Sequence, residues 1–208
     1  MKKLLTVLVA ACALTVSLAG CQKAGDSAAG SAGSSKPAPT FESTDVSGLD
    51  YAKGFSLVDH TGKPRTLADF KGKVALVFFG YTQCPDVCPT TMAELAQVMQ
   101  KLGPQADQVQ VLFITLDPER DTQQLLAQYV PAFDKRFIGL RGTPEQTKQT
   151  AKDFKVFYAK VPGEDPKTYT IDHMAGTYVY DRDGHLRLYI KRDQSTDSIV
   201  HDIRQLLS

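Results

Sequence analysis

From Phe41 onward, apolar positions recur in two rhythms along the chain, continuous or every-second runs alternating with helical spacing. GFSLVD enters the turn HTGKP as a strand would, and KVALVFFGY is an unbroken apolar, β-branched and aromatic run, the pattern of a buried central strand. Next, CPTTMAELAQVMQKLG sets Met92, Leu95, Val98, Met99 and Leu102 at helical spacing, with Pro89 in the first turn and Gly103 as the stop. VQVLFITLD and RFIGLRG read as further strands. Between them DTQQLLAQYV opens a helix, with Asp121 and Gln124 at capping-box spacing. TPEQTKQTAKDF begins a third helix, with Thr143 as cap, Pro144 next and Gln146 at the third position. GTYVYDRDGHLRLYIKR alternates about a central Asp-Gly, the signature of a hairpin, and STDSIVHDIRQLL closes the chain as an amphipathic helix.

Strand, helix, strand, helix, strand, helix, hairpin, helix is the order of an α/β fold with a mixed central sheet flanked by helices. It is the layout of a thioredoxin-like fold, expected over residues 41–208, with extra residues near its start and before the hairpin. No internal repeat is visible.

The N-terminal end follows other rules. MKKLLTVLVAACALTVSLAGCQ has two lysines, an apolar run from Leu4 to about Ala19, and small residues before Cys21, the pattern of an export signal over residues 1–20. A membrane anchor is the rival reading, but the run is shorter than the roughly 20 residues needed to span hydrocarbon. Leu18-Ala19-Gly20-Cys21 resembles the lipobox of bacterial lipoproteins, which implies cleavage before Cys21, lipidation of that residue, and a domain tethered on the extracytoplasmic, periplasmic side of a membrane. Residues 21–40 are rich in Gly, Ala, Ser and Pro and offer almost nothing to bury, so they read as a flexible tether.

Composition narrows the function little. Of 208 residues, 42% are hydrophobic and 23% charged, which suits one globular core. Twenty-four basic against 23 acidic residues leave a net charge of +1, so nothing points to nucleic acid as a partner.

The cysteines say more. Cys12 falls in the signal and Cys21 at the lipidation site, so the folded part keeps Cys84 and Cys88, in FFGYTQCPDVCPTTM. Both lie between the end of a central strand and the start of a helix, whose partial positive charge favours a thiolate, and Cys88 is the better placed of the two. Four residues along a helical turn bring the sulfurs to one face, near enough for a disulfide or for gripping one metal ion. A structural disulfide closing so short a loop removes little entropy from the unfolded chain. Redox and metal roles remain beside it.

A third group must come from four histidines. His60 reads as a solvated turn residue, His185 as a hairpin residue facing water, and His201 as polar-face helix. His173, in YTIDHMAGTYVYD, precedes the hairpin, and in a thioredoxin-like layout that loop lies beside the active-site helix. Two thiolates and an imidazole form a soft set suited to copper in either oxidation state, with zinc as the rival. Asp172 either orients the ring or faces solvent.

FFGYTQCPDVCPTTM, FITLDPERDT and DHMAGTYVYDRDG, in this order and at these separations, resemble the Sco/SenC family of copper-binding proteins, from roughly Gly54 to Leu207. Thioredoxins place two residues between their cysteines, whereas this chain has three. The resemblance implies a domain that binds one copper ion, Cu(I) or Cu(II), through Cys84, Cys88 and His173. It also implies delivery of copper, or of reducing equivalents, to the copper-site subunit of cytochrome c oxidase during assembly of its dinuclear copper site. The first role is that of a metallochaperone. The second is that of a thiol-disulfide oxidoreductase using Cys84 and Cys88 as a reversible pair, with other copper chaperones or thioredoxin-like reductants as further partners. Asp117, in TLDPERDT, is expected either to form a turn and helix cap or to approach the metal.

Overall fold

The computed structural model describes residues 40–165 and 168–208. The expected signal peptide, Cys21 and all but the last residue of the tether lie outside the described residues. Among those described, no helix is long and apolar enough to cross a membrane.

The chain forms β1 (Thr44–Asp45), β2 (Ser56–Asp59), β3 (Pro64–Thr66), β4 (Val74–Gly80), α1 (Val87–Leu102), β5 (Val109–Thr115) and α2 (Gln123–Tyr129), then β6 (Ile138–Arg141) and α3 (Pro144–Asp153). It continues through β7 (Tyr158–Pro162), β8 (Tyr169–His173), β9 (Thr177–Tyr180), β10 (Leu186–Ile190) and α4 (Thr196–Leu207). Eight strands make one sheet in the order β1-β10-β9-β4-β5-β6-β2-β3. β4, β5 and β6 run parallel, β9 pairs antiparallel with β4, and β10 pairs antiparallel with β9, so the expected mixed sheet flanked by helices is present.

β4 lies at the centre and every one of its residues is buried. Because successive strand side chains point to opposite faces, Val74, Leu76 and Phe78 join one core with α1 and α4, while Ala75, Val77 and Phe79 join a second that includes Ala151 and Phe154. The apolar stripe of α1 enters the first core: Met92, Leu95, Val98, Met99 and Leu102 are all buried. Truncating Leu95 to alanine would cost about 2–5 kcal/mol. α1 stops where expected, at Gly103, whose φ of +57° is open to glycine at little cost.

Thr143 caps α3 and forms the full capping box with Gln146. The cap of α2 differs from expectation: Thr122, not Asp121, accepts the Leu125 amide. Asp121 is turned inward. A second difference is the two-stranded sheet β7–β8, which the alternation did not reveal. β7 carries no buried residue, and β8 alternates inward Tyr169, Ile171 and His173 with exposed Thr170 and Asp172 over only five residues, too short a run to stand out from a loop.

Candidate metal centre

β4 ends at Gly80, and a short loop carries the chain across the end of the sheet into α1. At the N-cap position Asp86 makes no side-chain bond to the helix. Instead the Cys84 sulfur accepts the amide of Cys88 at 3.4 Å, so a ligand candidate fills the role that a capping oxygen usually takes. Cys88, in the first turn, points into the core and is 0% exposed, while Cys84 is half-buried. Gly80 makes this close approach possible: a β-carbon there would lie 2.9 Å from Cys88 Sγ and 2.9 Å from Phe113 Cε2.

The third candidate arrives on β8, whose last residue is His173; the structure thus puts it at a strand end rather than in a loop. Tyr81, in the cysteine loop, anchors this strand by accepting the Ile171 amide at its hydroxyl, 3.1 Å away. The edge-on rings of Phe78 and Tyr81 flank the imidazole. Nδ1 lies 3.1 Å from the Met174 carbonyl. A carbonyl only accepts, so Nδ1 carries the proton and Nε2 presents a lone pair toward the cysteines. Nε2 is 3.4 Å from Cys88 Sγ, and the two sulfurs and Nε2 all fall within 4.8 Å of one another.

Electrostatics overturn one expectation. Burial pushes the Cys88 thiol far above its ordinary range, and the nearby Asp121 charge adds to the effect. The helix start does not offset this, so Cys88 is a neutral thiol near neutral pH until a cation displaces its proton. Burial lowers the pKa of His173, which keeps the ring neutral and able to ligate. Both cysteines are free thiols.

Residues 44–208 match the family model described as SCO1/SenC. The chain belongs to the SCO1/SenC family. Its relatives include the mitochondrial SCO2 homolog of Mus musculus, 41% identical over 153 residues, which cover 73% of this chain and 60% of that protein. The match thus spans less than two thirds of the mouse protein's length. Among solved structures, Bradyrhizobium japonicum ScoI with copper bound is 38% identical at a TM-score of 0.68, covering 74% of this chain and 97% of that one. Apo Sco1 of Thermus thermophilus is 40% identical at a TM-score of 0.72, covering 80% and 97%. These likenesses establish the thioredoxin-like fold for this SCO1/SenC chain.

The other expected residues of this SCO1/SenC chain fall outside the ligand set. Asp172 is exposed on β8, and the contact to the ring's Nδ1 is made by the Met174 carbonyl. Asp117 is 1% exposed; it pairs with Arg120 and accepts the Tyr169 hydroxyl at 2.9 Å, touching none of the three ligand candidates. Arg120 in turn stacks on the Tyr169 ring, 3.6 Å from its centroid, and donates to the Tyr169 carbonyl at 2.8 Å. Together they hold the start of β8.

His60 sits in its turn as expected but is half-buried, and its Nδ1 accepts the Gly139 amide at 3.0 Å. His185 is exposed in the hairpin, as expected, and His201 contacts Asp202 on α4. Among the described residues, Asp181, Asp183 and His185 also cluster, but Asp181 is occupied by its own turn and by Arg187. The positions that sequence reasoning missed are Tyr81, Thr82 and Asp121. Their signal was slight: Tyr81 closes the apolar run of the central strand, Thr82 follows it, and Asp121 lies six residues past the end of β5.

Proposed function

We propose that this domain binds one copper ion, Cu(I) or Cu(II), through Cys84, Cys88 and His173, and delivers it during assembly of the dinuclear copper site of cytochrome c oxidase. The observation that carries this reading is the convergence of two sulfurs and a lone-pair nitrogen within 4.8 Å. Such a soft donor set favours copper over hard cations, and the related Bradyrhizobium ScoI structure holds copper. Half-burial of Cys84 leaves one side of the site open to an acceptor's ligands. The delivery step and its acceptor, the copper-site subunit, rest on the resemblance of the three motifs.

Thiol-disulfide exchange is the second reading, favoured by the proximity of the two free thiols. In it the Cys84–Cys88 dithiol becomes a disulfide while a target disulfide becomes two thiols, so two electrons and two protons pass to the target. That step does not need His173. The buried, proton-retaining Cys88 is a poor attacking group, which leaves the attack to Cys84. For location, the N-terminal pattern supports a lipid anchor at Cys21 and a domain on the extracytoplasmic side.

The test is a copper titration of the reduced chain beside His173→Ala. A thiolate-to-Cu(II) charge-transfer band that the variant loses supports the metallochaperone. Unchanged copper binding by the variant, with target-disulfide reduction that depends only on the cysteines, gives the oxidoreductase instead. A disulfide form that binds copper tightly would remove the basis of the copper reading.

A further inference from the structure

Beneath the cysteine loop sits a carboxylate that neither reading uses. Asp121 is 0% exposed, and burial raises its pKa. Its oxygens accept the Thr82 amide at 3.0 Å, the Thr82 hydroxyl at 2.6 Å and the Thr115 hydroxyl at 2.5 Å. Its own backbone is fixed as well, by Asp121 N donating to the Asp117 carbonyl at 2.9 Å and by Arg141 Nε donating to the Asp121 carbonyl at 3.0 Å. Thr82 lies two residues before Cys84, and Thr115 is the last residue of β5. The cysteine loop is therefore tied to the end of the neighbouring strand through one buried side chain.

A second buried carboxylate shows what an ordinary structural role looks like. Asp59, 2% exposed, takes donors from Thr61, Lys63 and Arg65, all within six residues along its own turn. Asp121 instead reaches 39 residues back along the chain to the loop that carries a ligand candidate.

We propose that Asp121 is a positioning residue for the Cys84–Cys88 pair: by clamping Thr82 to the end of β5 it holds the loop closed over Cys88 and fixes Cys84 for metal binding. The proposal rests on the copper reading for its functional meaning, but the clamp has a readout without metal. In the closed loop Cys88 is fully shielded and Cys84 only in part. Releasing Thr82 opens the loop and uncovers the buried sulfur. A carboxylate is not essential to the clamp. An asparagine keeps an oxygen toward the Thr82 amide and the Thr115 hydroxyl, and its NH2 can donate to a rotated Thr82 hydroxyl.

The experiment uses the full chain, reduced and metal-free, with iodoacetamide alkylation of Cys84 and Cys88 followed by mass spectrometry, and then copper titration of the same samples. Asp121→Ala and Thr82→Val are compared with Asp121→Asn as the conservative rescue and Asp59→Asn as the control for general loosening. Each clamp bond contributes about 1 kcal/mol, so Cys88 alkylation should rise, and copper affinity fall, about fivefold in Thr82→Val, which loses the hydroxyl bond but keeps the amide bond, and further in Asp121→Ala, which loses all three side-chain bonds. Asp121→Asn should stay near the unmodified chain. If Asp121→Ala does not fold, Thr82→Val alone decides. Unchanged Cys88 protection and affinity in folded Thr82→Val overturns the clamp, as does an equal rise in Asp59→Asn. Alkylation that follows the expected order in a chain that takes up no copper supports the clamp while refuting the copper reading.

Discussion

Cys88 Sγ lies 3.4 Å from His173 Nε2, although 85 residues separate them in sequence. The thiol is pushed up by burial and the imidazole down by the same cause, so near neutral pH an S–H faces a neutral nitrogen. Metal binding must then expel the Cys88 proton. Apparent copper affinity should rise about tenfold or more for each pH unit between about pH 6.5 and 8.5, the factor expected for one displaced proton. Competition against a chelator of known affinity at several pH values checks this, and a flat profile would refute the buried neutral thiol.

Gly80→Ala should damage the site from the side of the sheet. The added carbon would meet Cys88 Sγ and Phe113 Cε2, each at 2.9 Å, and Phe78 Cε1 at 3.1 Å. β4 is held by ladders on both sides and cannot retreat, so the sulfur and the rings must move. Overpacking of this kind costs about 1–3 kcal/mol. Urea unfolding should show that loss, with weaker copper binding in the folded fraction. Retention of both properties would mean that the close approach is not limiting.

Arg120 supports β8 at a distance from the ligands. It is paired with the buried Asp117, stacked on Tyr169 and bonded to the Tyr169 carbonyl. Arg120→Ala leaves a carboxylate buried without its cation, a change that costs about 3 kcal/mol. Arg120→Lys should recover little, because an ammonium cannot reproduce the planar stack and the forked bonds. Chemical denaturation of the two variants measures this. Full recovery in the lysine variant would show that charge alone matters.

The sequence pattern reveals most of the scaffold because its strands are continuous apolar runs and its helices carry a buried stripe. β4, α1, β5 and α3 are legible for that reason, and Thr143 with Gln146 marks its helix directly. The β7–β8 sheet is not, since β7 buries nothing and the in-out alternation of β8, with Tyr169, Ile171 and His173 inward, lasts only five residues. Cys84 and Cys88 are legible through spacing and isolation, and His173 through order along the chain. The protonation of Cys88 is hidden because helix-start position and burial act in opposite directions, and the sequence does not show which dominates. Asp121 is hidden for a related reason: an Asp before a helix suggests a cap, while its actual partners, Thr82 and Thr115, come from other segments.

Acid should unfold the domain through a small set of bonded carboxylates. Burial alone would raise Asp59, but bonds from Thr61, Arg65 and Lys63 outweigh it and hold the carboxyl well below the ordinary 3.8. Asp202 behaves likewise: burial opposes, yet donors at Ser43 and Glu42 lower its pKa as it ties the start of the domain to α4. For both, the unfolded chain takes up the proton first as pH falls. Their stabilisation is therefore complete above the ordinary value and disappears as pH falls through the lower folded values. His173, lowered by burial from 6.5, adds an earlier decline below that value for the same reason. Relative to the unmodified chain, Asp202→Asn should lower the urea midpoint most at about pH 6–7, and the gap should close toward about pH 3. Midpoints measured across that range decide the matter, and a gap as wide at the acid end as at neutrality would show that the ionised Asp202 carboxylate is not what holds Glu42 and Ser43 to α4.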